Sequence, residues 1–154
     1  MKTHVKRILL AEDNLNDIEL MLSALEECNL ANQVIVVRDG AEALDYLYRR
    51  GSFSERDDEQ PVVVFLDIKM PKIDGLEVLR TIKSDASMKF IPVVMITSSR
   101  EQQDLLNGYK LGANAYVVKP IKFEDFVEAI KELGLFWAVI NEIPNNFVNE
   151  IKNE

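Results

Sequence analysis

The chain is short of the residues on which several common chemistries depend. Of its 154 residues, one is cysteine and one is histidine. Cys28 can close no internal disulfide, so a reducing cytoplasm is permitted, and its position late in a helical pattern marks it as a packing residue. His4, near the N-terminus, cannot by itself build a histidine metal site or a His-based triad. No run approaches the ~18 consecutive apolar residues of a membrane span. The basic start, residues 1–7, is not followed by the apolar stretch of a secretion signal. The expected location is therefore the cytoplasm, without membrane attachment. Positive charge is also scarce: 18 Lys and Arg against 26 Asp and Glu leave a net charge of −8. That balance argues against nucleic acid as a partner, because phosphate contacts need a basic face. Internal repeats and low-complexity stretches are missing too. A single domain over residues 1–154 is expected, long enough to bury about 68–70% of its extended surface without staples.

What the chain does contain is an alternation of apolar runs and amphipathic segments. Strand-like runs fall at 8–11, 33–37, 62–66, 93–96 and 115–118. Between them, helical spacing predicts helices from Asn14, over 40–50, over 76–84 and over 101–111. A fifth follows from Phe123 and carries Phe126, Val127, Ile130 and Leu133. Asn14 can cap the first helix, with Asp17 in its first turn, and Gly112 is a natural stop for the fourth. Residues 51–60 read as an exposed polar loop. Five apolar strands separated by helices imply an α/β fold: a doubly wound parallel sheet covered on both faces.

Four of the five strands end in chemistry. The first runs into Glu12-Asp13, the third into Asp67, the fourth into Thr97 and the fifth into Lys119-Pro120. Open parallel sheets place their sites at the carboxyl ends of their strands. Mg2+ takes hard oxygen ligands, usually one or two carboxylates with waters and phosphate oxygens. Asp13 and Asp67 can supply the carboxylates, Glu12 can reach through water, and the backbone carbonyl of Lys69 can add another oxygen. Crowded acids repel until a cation enters. Asp67 can then act as a nucleophile toward a phosphoryl group. Lys119 and Thr97 can supply the positive charge and the hydroxyl that the added negative charge requires. A cis Lys119–Pro120 bond would aim the lysine inward.

These motifs together resemble the receiver domain of two-component response regulators. The resemblance rests on Glu12-Asp13, on the Asp67 block Leu66-Asp67-Ile68-Lys69-Met70-Pro71 with Ile73-Asp74-Gly75, on Thr97-Ser98-Ser99, on Gly112-Ala113 with Tyr116, and on Lys119-Pro120. The separations of 30 positions from Asp67 to Thr97 and 22 from Thr97 to Lys119 match as well. The likeness covers residues 7–133, leaving 134–154 as a C-terminal extension. It implies a flavodoxin-like fold with five helices and sheet order 2-1-3-4-5. It implies Mg2+ held by Glu12, Asp13 and Asp67, and phosphorylation of Asp67 by a sensor histidine kinase. It also implies a switch in which Thr97 moves toward the phosphoryl group and Tyr116 swings inward. Ser98 is small and should leave the phosphoryl group reachable, while Lys69 is expected at the mouth of the site.

No DNA-binding or catalytic domain is expected after the fifth helix, so the chain reads as a stand-alone switch. Its tail begins with six apolar residues, 135–140, more than one face of a helix needs. Phe136, Trp137, Val139 and Ile140 are therefore candidate interface residues. The Phe136-Trp137 pair, Pro144 and the insertion before the third strand resemble the small regulators paired with cyanobacterial and bacterial phytochromes, which implies a phytochrome-type kinase partner and a homodimer. Gly134 is expected to end or kink the fifth helix. Two other classes compete. A haloacid-dehalogenase-like Mg2+ phosphatase would place a second aspartate where Lys69 stands. A flavodoxin-like FMN protein would need a Ser/Thr/Gly-rich loop where Glu12-Asp13-Asn14 stands. A relay intermediate passing its phosphoryl group to a histidine phosphotransfer protein would share the receiver chemistry.

Overall fold

The computed structural model describes residues 6–98, 102–119 and 122–141. Its elements alternate: β1 (Ile8–Ala11), α1 (Leu15–Glu26), β2 (Val34–Val37), α2 (Gly40–Tyr48), β3 (Val63–Leu66), α3 (Gly75–Ser84), β4 (Val93–Thr97), α4 (Gln102–Lys110), β5 (Ala115–Val118) and α5 (Phe123–Leu135). The strands form one parallel sheet in the order β2-β1-β3-β4-β5. This is the doubly wound order the motifs implied.

The sheet is covered on both sides, which is why its central strands are apolar at every position before Thr97, the last residue of β4. Leu9, Val64, Leu66, Val93 and Met95 face α2 and α3, where they meet Leu44, Leu47, Val78, Leu79 and Ile82. Ile8, Leu10, Val63, Phe65, Val94 and Ile96 face α1 and α5, where they meet Ile18, Met21, Leu25, Phe126 and Ile130. Each large side chain fully withdrawn from water contributes about 2 kcal/mol. The alternation along each strand thus ties the helices to both faces and pins the register.

Caps define the helix starts. The side chains of Asn14, Asp39 and Asp74 accept hydrogen bonds from the N–H groups of Asp17, Glu42 and Glu77. α2 stops at Tyr48, two residues before the expected end. Arg49 turns left-handed at φ 53° and directs its N–H back to Asp45 and Tyr46.

One expectation is extended and one corrected. The 51–60 segment is largely exposed, as its polarity implied, but it is also organised around one side chain. The Arg56 side chain is only 7% exposed; it pairs with Asp58 at 2.7 Å, donates to the Gln60 side chain at 2.6 Å and stacks 4.0 Å over the Tyr46 ring. A guanidinium with five donors can organise a polar loop that has no apolar core of its own. Gly134, in turn, does not break α5. The helix passes through it to Leu135 and continues as a π-helical turn, Phe136–Ile140. A Cβ at Gly134 would lie 2.4 Å from Leu25 Cδ2, so this glycine permits close approach of α1 and α5.

That π-helical turn splits the tail residues. Ala138 is buried, and Trp137 is half-buried against the α1–α5 side of the core, with its ring edge-on to Phe136 at 4.9 Å. Phe136, Val139 and Ile140 are 45%, 58% and 64% exposed. Trp137 thus serves the fold as well as any interface. Pro144 lies outside the described residues.

Candidate phosphoryl and metal site

The carboxyl edge of the sheet is extended by backbone hydrogen bonds that run past the last residues of β1, β3 and β5. Glu12 donates its N–H to Val37 at 3.0 Å, Asp67 to Ala11 at 3.1 Å and Lys119 to Thr97 at 2.8 Å. The ladder therefore fixes the Cα positions of Glu12, Asp67 and Lys119 before any side chain is considered. Local glycine chemistry completes the frame. A Cβ at Gly75 would fall 2.0 Å from the carbonyl oxygen of Asp67, so only glycine lets the start of α3 close over the strand end. Lys72, in the intervening loop, takes a left-handed conformation at φ 67°.

On this frame one oxygen each from Glu12, Asp13 and Asp67 lies within 4.8 Å of the others. Glu12 is buried; its Oε2 accepts from the N–H groups of Asp13 at 3.0 Å and Asn14 at 3.3 Å. The Asp67 Oδ1 accepts from Ile68 N–H at 2.8 Å. The Arg38 guanidinium donates to the Asp13 carbonyl at 2.9 Å and so braces the loop from the β2 side. Lys119 Nζ reaches Glu12 Oε1 at 2.5 Å, Asp17 Oδ2 at 2.7 Å and Asp67 Oδ2 at 3.8 Å. Thr97 is fully buried at the end of β4.

The electrostatics follow from this crowding. Burial pushes the Glu12 carboxyl up; the Lys119 hydrogen bond pulls it back and the Asp67 charge raises it again, leaving it at about 7. For Lys119, burial opposes the charge, but the hydrogen bonds it donates to Asp17 and Glu12 outweigh it and the ammonium is held above the ordinary lysine value. Three hard oxygen donors in a partly dry recess are a ligand set for a divalent cation. The excess of carboxylates over ammonium there supplies the need for one.

The remaining expected residues are placed as follows. Lys69 is exposed, and Ser98 is exposed just beyond Thr97. Tyr116 is half-buried on β5, its ring 6.4 Å from that of Tyr109 on α4. Pro120, and with it the Lys119–Pro120 peptide bond, lies outside the described residues. Two residues were missed: Asp17, read only as a helix-dipole partner, and Arg38. Asp17 could have been found, because the first turn of a helix that starts at the carboxyl edge of a sheet overhangs that edge.

The model of the response regulator receiver domain matches residues 8–131. The response regulator Rcp1 of Synechocystis is 32% identical over 139 residues, covering 90% of this chain and 93% of its own. A solved Mn(2+)-bound form of Rcp1 superposes with a TM-score of 0.81, covering 90% of this chain and 99% of that one. The phosphorylated cyanobacterial phytochrome response regulator RcpA superposes with a TM-score of 0.84 at 36% identity, over 93% of this chain and all of its own. The bacteriophytochrome response regulator AtBRR is 57% identical with a TM-score of 0.72, over 91% of this chain and all of its own.

Proposed function

Because the chain belongs to the response regulator receiver domain family, we propose that it is a phosphoryl-accepting switch in which Asp67 takes the phosphoryl group. The observation that carries this is the placement of the Lys119 ammonium 3.8 Å from Asp67, beside three carboxylates within 4.8 Å of one another. In the transfer, an Asp67 oxygen forms a P–O bond as the P–N bond of a phosphohistidine breaks. The imidazole keeps the electron pair and takes up a proton. Glu12, Asp13 and Asp67, with the Lys69 backbone carbonyl, would hold Mg2+, which when bound neutralises phosphoryl oxygens. Lys119 and the Thr97 hydroxyl contact the transferred group and hold it in place. The same residues would let water attack the acyl phosphate, so slow self-dephosphorylation is part of the reading.

The donor is a sensor histidine kinase. The kinship with RcpA and AtBRR supports one of the phytochrome type, and we place the exchange in the cytoplasm. Among the described residues no helix is long and apolar enough to cross a membrane. Thr97 would move toward the phosphoryl group and Tyr116 would swing into the space it leaves. This is a two-state packing change biased by one new charge. The exposed Phe136, Val139 and Ile140 support a homodimer through the C-terminal turn. Ile140→Asp tests that contact without touching the half-buried Trp137; a dimer that persists undiminished in light scattering overturns it. Lys69, exposed beside the site, would slow the approach of water, and an unchanged dephosphorylation rate in Lys69→Ala would remove that role.

The deciding experiment is incubation with acetyl phosphate and Mg2+, followed by intact mass. The expected result is one phosphoryl adduct, lost in Asp67→Asn. An adduct that survives in Asp67→Asn, or none in the wild type, refutes the assignment.

A further inference from the structure

We propose that Asp17 is a positioning residue for Lys119: it anchors the ammonium from the α1 side so that a remaining N–H faces Asp67. The inference rests on the receiver chemistry proposed above. An ammonium has three donors in a fixed tetrahedral arrangement. Here one goes to Glu12 Oε1 at 2.5 Å and one to Asp17 Oδ2 at 2.7 Å, while Asp67 Oδ2 stands 3.8 Å away. A phosphoryl group added to Asp67 extends its oxygens into that gap, where the third donor meets them. Glu12 is one of the three acids grouped for a cation, so its hold on Lys119 is shared. Asp17 lies outside that group. Its side chain is 28% exposed and pairs with the Lys119 side chain, which is 14% exposed. Two anchors restrict a four-carbon side chain that otherwise samples many rotamers, and a donor held in place before the charge develops is worth more than one that must be recruited.

The competing explanation is that Asp17 only complements the α1 dipole. The two are separable by what is read: a dipole role acts on α1 and leaves the Lys119 ammonium and its ligand unchanged, and the helix cap survives either way because the Asp17 backbone N–H donates to Asn14 Oδ1 at 3.0 Å. Asp17→Asn keeps that bond and the side-chain size while weakening the hold on Lys119. At saturating Mg2+, followed by amide NMR, the beryllofluoride dissociation constant of Asp17→Asn should rise ~3–10-fold, with Asp17→Glu recovering most of the loss. A constant that is unchanged or lower overturns the proposal. A second readout does not involve beryllofluoride. The Lys119 ammonium 15N signal, slowed in exchange by its two anchors, should be visible in the cold wild-type protein and lost in Asp17→Asn. If it persists in the variant, Asp17 is not the anchor. A wild-type protein that binds no beryllofluoride would instead count against phosphoryl acceptance by Asp67, and the ammonium signal would still decide the role of Asp17.

Discussion

Removing the charge of Asp67 should make the metal-free protein more stable, although Asp67 sits at the centre of the site. Asp67 lies within 4.8 Å of both Glu12 and Asp13 and 3.8 Å from Lys119. At an effective dielectric constant of ~20 each repulsion costs about 3 kcal/mol and the attraction returns about 4 kcal/mol. The balance leaves about 2 kcal/mol of repulsion, which screening at the half-exposed Asp13 reduces to about 1 kcal/mol. Asp67→Asn preserves the volume and can still accept from Ile68 N–H, so the change is almost purely one of charge. In EDTA at pH 8, where Glu12 is ionised, the variant should melt about 3 °C above the wild type. Mg2+ should reverse the order. At ten times its dissociation constant a ligand adds about 1.4 kcal/mol to the protein that binds it, and the variant lacks one of the three carboxylates. The assay is calorimetry of both proteins with EDTA and with Mg2+. A variant that melts below the wild type in EDTA refutes the charge argument. A variant that gains as much from Mg2+ as the wild type refutes the role of Asp67 as a ligand.

Glu12, pushed up to about 7 by burial, binds its proton more tightly folded than unfolded. Its contribution to metal-free stability should be full below pH 4.5 and be lost as pH rises through 7; urea titrations at pH 5 and pH 8 should show that loss, and Glu12→Gln should flatten it. Gly75→Ala drives a methyl to within 2.0 Å of backbone rather than of a side chain that could yield. It should cost about 3 kcal/mol or more in urea unfolding and abolish the Mg2+-induced rise in melting temperature. Gly134→Ala should destabilise by about 1 kcal/mol, because its methyl meets the fully buried Leu25 side chain. In a Leu25→Ala background the same change should stabilise through helix propensity, a sign reversal that a double-mutant cycle of melting curves would detect. Arg56→Met should loosen residues 51–60, seen as faster amide exchange there, with Mg2+ affinity unchanged, since the Arg56 contacts all lie within 46–60.

The parallel sheet and four of the strand-end groups were legible from the chain itself, whereas the strand order followed only from the likeness to receiver domains. A strand buried on both faces must be apolar throughout, so a polar residue at its end stands out, and β1, β3 and β4 all show this. Cap residues such as Asn14 and Asp74 act within one turn, and their effects are local enough to be read from spacing. What remained hidden depends on partners distant in sequence. Asp17 meets Lys119 across 102 positions, and no local pattern encodes that contact. Gly134 looked like a helix breaker, because a glycine reads the same whether it ends a helix or admits a neighbour; only the packing of Leu25 against it decides. Trp137 belonged to a run too apolar for one helix face, but which of its members turn inward depends on the π-helical phase of the last turn. Periodicity specified the architecture, and the strand-end residues named the acids that the fold brings together. Three-dimensional packing alone settled how Lys119 is held and which tail residues face solvent, because those are properties of distances between segments and not of order along the chain.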